Sequence, residues 1–325
     1  LEVEDAMNHP MPVVFFSRCL GFDRCRWNGE VIRDNFITAL AAKVEAIHEC
    51  PEMAIGLGCP RDPIRVVKDG AEVELLQPAT GRKVGAAMRA FSTSYLASLP
   101  PLDGYLLKSR SPSCGWKDVK VYDTPLPGSA AKPGRGLFGE AVLARGDGLP
   151  VEDEGRLKNF ALREHFLGAV WTFARFRQVE AEKTMAALVR FHTVHKLFFL
   201  MHNQKEMRLL GKLVANNEGR DIGSVLAEYR KGLGRALASP PKYGSLINTI
   251  QHAFGGFSES LSAGERAFFV EMVEQYRDER IPASVLLRLV KSWALRFGEK
   301  YLLEQILFEP FPLELVDLAD SGNTK

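Results

Sequence analysis

The 325-residue sequence predicts an α/β, Rossmann-like domain with a mostly parallel sheet and flanking helices, followed by an all-α domain. Three observations carry this reading. Short apolar runs alternate with helix-like stretches up to about residue 148. Three extended stretches run into polar turns that hold Cys19, Cys50 and Cys114. Beyond residue 148 the chain shows repeated three-to-four-residue apolar spacing and no cysteine.

Val13-Val14-Phe15-Phe16 is an unbroken apolar run ending at Ser17, as a buried strand requires. Asn35 to about Lys43 reads as a helix, and a short extended stretch leads from it into Cys50. Ile64–Val67 and Val73–Leu76 flank Asp69-Gly70, a hairpin signal. Arg82–Leu99 reads as an amphipathic helix stopped by Pro100-Pro101, and Asp103–Lys108 returns as a strand into Ser-Pro-Ser-Cys-Gly. Thr124–Gly136, rich in Pro, Gly and Ser, reads as a loop or lid, with a helix from Leu137 to Arg145 after it. In a parallel sheet, sites form beyond the carboxyl ends of the strands, where all three turn cysteines lie.

The domain boundary is placed near Gly148-Leu149-Pro150, giving an α/β domain over 11–148 and a helical domain over 149–325. The expected helices are Phe160–Arg177, Glu180–Met201, Lys205–Ala215, Ser224–Ala238, Tyr243–Phe254, Ala263–Asp278 and Pro282–Phe297. Leu1 to about His9 are expected to include residues foreign to the fold and are set aside.

The 46% hydrophobic and 25% charged content is that of a soluble globular protein. No apolar run is long enough to cross a bilayer and no signal-peptide pattern is present, so the expected compartment is the cytoplasm. All five cysteines fall between residues 19 and 114, and an odd, clustered set argues for metal or catalytic use over a disulfide frame. The net charge of +2 conceals a block of +9 from Gly155 to His252, which suggests an anionic partner.

Cysteines in Pro/Gly turns hold their thiolates available to a metal or a substrate. Their separations here far exceed the two to four residues of a local metal motif, so spacing alone leaves a shared metal site and separate core cysteines both open.

Three segments go further: Ser17-Arg18-Cys19-Leu20-Gly21; Cys50-Pro51-Glu52 running into Ile55-Gly56-Leu57-Gly58-Cys59-Pro60-Arg61-Asp62-Pro63-Ile64-Arg65; and Lys108-Ser109-Arg110-Ser111-Pro112-Ser113-Cys114-Gly115. Together they resemble the bacterial thiouracil desulfidase family over roughly residues 11–145. The helical half, notably Arg190–Lys196 and Leu200-Met201-His202, looks like the domain fused to this fold in bacterial tRNA 4-thiouridine desulfidases.

The resemblance implies a [4Fe–4S] cluster held by Cys19, Cys50 and Cys114, whose open iron binds a thiocarbonyl sulfur as a Lewis acid without net redox change. It implies an acid/base role for Glu52, and for Ser111 or Ser113 a role in orienting substrate or water. An ordinary turn carboxylate and Ser-turn are the alternatives. Cys25 and Cys59 depart from the commonest family pattern, and either is open as a fourth ligand or as a small buried thiol. Arg61, Arg65 and Lys108 are candidates for binding a phosphate or a uracil carbonyl, with a local ion pair to Asp62 as the alternative for the arginines.

On the helical half, Arg163, Arg175, Arg177, Lys183, Arg190, Lys196, Lys205, Arg208 and Lys212 are the expected RNA-binding face, continued by Arg230, Lys231 and Arg235. His192, His195 and His202 read as a polar seam between helices. The resulting expectation is hydrolytic removal of sulfur from 4-thiouridine in tRNA, releasing hydrogen sulfide. The alternatives are a desulfidase of free thiouracil or thionucleotides, and a non-catalytic cluster-bearing nucleic-acid-binding protein.

Overall fold

β1 (Val13–Ser17) is buried along its whole length, as its apolar run requires of a strand covered on both faces. A computed structural model of the chain describes residues 9–316 apart from Ala71; residues 1–8, set aside above, lie outside the described residues. After β1 come α1 (Asn35–Ala41), β2 (Glu45–Glu49), α2 (Pro51–Ala54), β3 (Arg65–Asp69), β4 (Glu72–Gln77), β5 (Arg82–Lys83), α3 (Gly85–Ser98), β6 (Gly104–Leu107), β7 (Val119–Tyr122), β8 (Ala131–Gly134), α4 (Leu137–Ala144) and β9 (Val151–Asp153). Helices then take over: α5 (Phe160–Glu182), α6 (Met185–His202), α7 (Gln204–Ala215), α8 (Ile222–Ala236), α9 (Tyr243–Gly255), α10 (Ala263–Arg277), α11 (Ala283–Phe297) and α12 (Lys300–Leu303).

The first sheet runs β2-β1-β6-β9 and is parallel throughout. Phe15 packs against Tyr105 and Phe138, with ring centroids 5.9 and 5.5 Å apart, which fixes α4 over the central strands. β9 lies beyond the boundary expected at 148, in a stretch whose acidic residues hide a strand. Glu152 and Asp153 are buried: Glu152 pairs with Arg156 Nε at 2.8 Å, and Asp153 accepts the Gly155 and Arg156 amides.

The second sheet, β5-β4-β3-β7-β8, corrects the loop expected over Thr124–Gly136. Ala131–Gly134 pairs antiparallel with β7, and Pro133 is tolerated because β8 is an edge strand. Arg82 and Lys83, expected in a helix, pair instead with β4. Helix α3 starts later because Glu74 Oε1 accepts the Gly85 amide at 2.7 Å, doing the work of a cap.

Among the described residues, 11–174 and 314–316 form one compact unit, and 9–10 and 175–313 form the other. The division falls inside α5 rather than near 148, because β9 completes the first sheet. In the helical unit, side-chain caps start α6, α7, α8 and α10 at Thr184, Asn203, Asp221 and Ser262, the last a full capping box with Glu265. Its core is aromatic: Phe191 packs on Phe176, Phe199 and Tyr229. No helix among the described residues is long and apolar enough to cross a membrane.

Candidate active site: a thiol-lined cavity

Parallel pairing brings the carboxyl ends of β2, β1 and β6 to one edge, and the loop leaving each delivers Cys50, Cys19 and Cys114. All three are buried, and together with Cys25 they line a cavity of about 330 Å³. Hydrogen bonding with Cys19 pushes the Cys25 thiol up to about 12, with burial adding to it and Cys50 opposing it. Cys50 is raised by its hydrogen bond with Cys25 and by burial. Burial, reinforced by Cys50, pushes Cys114 up to about 12. These are neutral thiols in the absence of metal, whose protons a soft cation displaces on binding. Among the described residues no three His, Cys, Asp or Glu side chains gather as a single-ion chelate.

Glu52 sits in the first turn of α2, just past Cys50, and is 9% exposed. Ser113 Oγ donates to its Oε1 at 2.5 Å. Arg61 Nε donates to its Oε2 at 2.8 Å, and Arg61 Nη2 donates to the same oxygen. Arg61 Nη1 donates to the carbonyls of Gly58 at 2.8 Å and Cys25 at 3.0 Å. Burial would lower the Arg61 guanidinium, but the Glu52 carboxylate raises it instead. Arg61 therefore pairs with Glu52 rather than Asp62, and its donors are committed to holding the carboxylate and the loop of Cys25.

The Ser111–Gly115 turn is shaped from within and from behind. Ser111 Oγ accepts the amides of Ser113 at 3.3 Å and Cys114 at 3.1 Å, so Ser111 forms the Ser-turn that the sequence left as an alternative. Phe138 and Gly139, opening α4, donate their amides to the Ser113 carbonyl at 2.9 and 3.0 Å. A Cβ on Gly139 would stand 2.6 Å from the Gly115 oxygen and 2.7 Å from that of Cys114, so only glycine permits this approach.

Other expected site residues are placed differently. Lys108 Nζ donates to Glu154 Oε1 at 2.6 Å and to Ser109 Oγ at 2.9 Å; it lines the cavity, but its charge ties the β6 loop to the end of β9. The Glu154 carboxyl, which burial would raise, is lowered by that ammonium. Arg65 is absent from the thiol cavity and lies over the Tyr122 ring at 4.7 Å. Cys59 Sγ donates to the carbonyls of Arg24 and Arg26 at 3.1 and 3.2 Å and does not line the cavity.

Two members of the expected RNA face are corrected. Arg163 is buried, its guanidinium over Phe36 at 4.7 Å and its Nε donating to the Leu157 carbonyl. Arg175 is also buried, donating to the Pro310 carbonyl at 2.9 Å, and burial lowers it to about 10. Arg177 is half-buried. Lys183, Arg190, Lys196, Lys205, Arg208 and Lys212 are exposed, with Arg190 paired to Glu182. The three histidines are core residues: His192 Nδ1 meets Tyr229 Oη at 2.9 Å, and His195 and His202 bond the carbonyls four residues before them.

Sequence reasoning passed over Arg18, Trp27 and Arg110, which also line the cavity, Trp27 being 47% exposed at its rim. Their only signal was position beside the cysteine turns. Residues 14–154 match the profile of the family described as 2-thiouracil desulfurase, and residues 196–312 match one described as a protein of unknown function (DUF1722). The chain is 28% identical over 140 residues to the uncharacterized protein YbgA of Escherichia coli (strain K12), covering 43% of this chain and 82% of that one. It is 29% identical over 112 residues to the uncharacterized protein YbbK of Bacillus subtilis (strain 168), covering 32% of this chain and 73% of the relative. Among solved structures it is similar to the [4Fe-4S]-dependent thiouracil desulfidase TudS, at 28% identity over 47% of this chain and 97% of that one, with a TM-score of 0.36.

Proposed function

We propose that this chain is a [4Fe–4S]-dependent desulfidase that hydrolytically removes sulfur from thiolated uracil, with 4-thiouridine in tRNA as its substrate. The observation that carries the reading is Glu52, which lines one cavity with Cys19, Cys50 and Cys114 and accepts a hydrogen bond from the buried Ser113 beside Cys114. The profile match over 14–154 supports the same kind of activity. The donor set fits an iron–sulfur cluster, since soft thiols from three separate strand-end loops line one cavity. Cys19, Cys50 and Cys114 would hold it, and when bound it supplies a soft Lewis acid for the thiocarbonyl sulfur.

The chain's own residues carry the protons. Glu52 accepts one from water as the water oxygen bonds to the ring carbon; as the carbon–sulfur bond breaks, that proton and the one left on the new hydroxyl both pass to the sulfur, the second relayed through the same carboxylate. Water and thiocarbonyl thus become carbonyl and hydrogen sulfide, with no electron left over. Ser113 and Arg61 each donate to a different carboxylate oxygen, which fixes the rotation of the Glu52 carboxylate at the cavity.

Support for an RNA substrate comes from the helical unit, where Lys183, Lys196, Lys205, Arg208 and Lys212 are exposed and make no ion pair among the described residues. Such cations give affinity for phosphates without base readout. Base selection then falls to the cavity, which needs an unstacked base. A second reading rests on Cys25: its thiol meets those of Cys19 and Cys50, and as a fourth ligand it would close the open iron and leave a non-catalytic nucleic-acid binder. The deciding experiment is anaerobic turnover of thiolated tRNA by the cluster-loaded chain, read as loss of its near-ultraviolet absorption. Turnover supports the desulfidase; a stable four-thiolate cluster without turnover supports the binder.

A further inference from the structure

Beside the thiol cavity lies a second recess of about 590 Å³ against the second sheet. Pro63, Ile64, Arg110 and Pro112 line both, so the two adjoin along that rim. Lys120 and Tyr122, two apart on β7, share one face of the strand, and Arg65 from β3 lies over the Tyr122 ring. Arg65, Arg110 and Lys120 make no ion pair among the described residues. The nearby Lys68, by contrast, is committed to Asp123. Asp118 is the one carboxylate among the recess residues, and its charge also acts on Arg156.

Arg110 and Asp118 both hold left-handed backbone, each with φ 55°, which a non-glycine side chain adopts at a cost. The loop from the thiol cavity is thereby turned so that Arg110 borders both recesses. Two cations without ion pairs, Arg110 and Lys120, and the Arg65 guanidinium over the Tyr122 ring are the elements that receive a phosphodiester and the base next to it.

We propose that this groove seats the phosphate and neighbouring nucleotide of a polynucleotide whose thiolated base occupies the adjoining cavity. The proposal rests on the desulfidase reading for the identity of the base, and on the groove alone for the chain attached to it. It makes the α/β unit itself a reader of nucleic acid, with specificity for thiolated bases carried on a strand.

The test uses the full chain, wild type and Lys120→Glu, a residue outside the thiol cavity. Binding of a short fluorescein-labelled oligouridylate is followed by anisotropy across a salt series, with and without cluster. The proposal expects the substitution to weaken binding about tenfold and to make the salt dependence shallower by about 0.7 in log–log slope, the share of one single-strand phosphate contact. Arg65→Gln should weaken binding in the same direction. With cluster loaded, turnover of free 2-thiouracil should be equal in wild type and Lys120→Glu, while kcat/KM for oligonucleotide-borne 4-thiouridine falls by the binding factor. Equal oligonucleotide binding by the two proteins, or equal loss on the free base, overturns the proposal. So does displacement of the oligonucleotide by uridine monophosphate at matched concentration, which would assign the groove to a lone phosphate. If no thiobase is turned over by wild type, the desulfidase reading falls while the binding contrast still decides the groove.

Discussion

Ser113 Oγ donates to Glu52 Oε1 at 2.5 Å, on the opposite carboxylate oxygen from the one held by Arg61. The serine thus fixes the rotation of the carboxylate proposed to carry the proton. Ser113→Ala should lower kcat by about 10²-fold with KM little changed, and Glu52→Gln by about 10²–10⁴-fold. Steady-state kinetics on a thiolated nucleoside check both. Full activity in Glu52→Gln would remove the carboxylate from the mechanism.

Removing Arg61 leaves a buried carboxylate without its partner and frees the carbonyls of Cys25 and Gly58. Arg61→Ala should destabilise the chain by roughly 3–5 kcal/mol, as for other broken buried pairs. Denaturant unfolding measures it, and Arg61→Lys should recover only part because one ammonium cannot replace the fork.

The Cys25 thiol lines the same cavity as the three proposed ligands. On the desulfidase account, Cys25→Ser keeps its iron and its activity, while Cys19→Ser, Cys50→Ser and Cys114→Ser each lose both. Iron and sulfide analysis of anaerobic protein reads this directly. Loss of iron in Cys25→Ser would favour the four-ligand reading.

Gly139 admits the carbonyls of Cys114 and Gly115 at a distance no Cβ allows. Gly139→Ala should displace the Cys114 turn, costing about 1–3 kcal/mol as overpacking does and lowering cluster incorporation. Thermal unfolding and iron content should fall together.

Burial pushes the Glu164 carboxyl on α5 up to about 7 from 4.5. A carboxyl raised in the folded state gives stability that is full below about pH 4.5 and is lost as pH rises through about 7. Glu164→Gln should therefore match wild type at acid pH and melt several degrees higher near pH 8. Identical melting at both pH values would contradict it.

What the sequence could show depended on how local each signal was. The buried run Val13–Phe16, the Asp69-Gly70 hairpin and the periodic helices are encoded within a few residues of themselves, and the structure has them. β9 was hidden because Glu152 and Asp153 look solvated until Arg156 and two backbone amides are folded onto them. β8 was hidden behind Pro133, which signals a loop unless the strand is known to be at an edge. For the site, the cysteine turns were legible by residue type. The partnership of Arg61 with Glu52, the burial of Arg163 and Arg175, and the groove of Arg65 with Tyr122 depend on contacts distant in sequence or on packing that no window contains.

The most direct measurement is the stoichiometry of products from 4-thiouridine incubated anaerobically with the cluster-loaded chain. Wild type should release one hydrogen sulfide per uridine formed without added reductant, and the Cys50→Ser protein should release none. Uridine formation at the same rate with Cys50→Ser, or no sulfide from wild type, would contradict it.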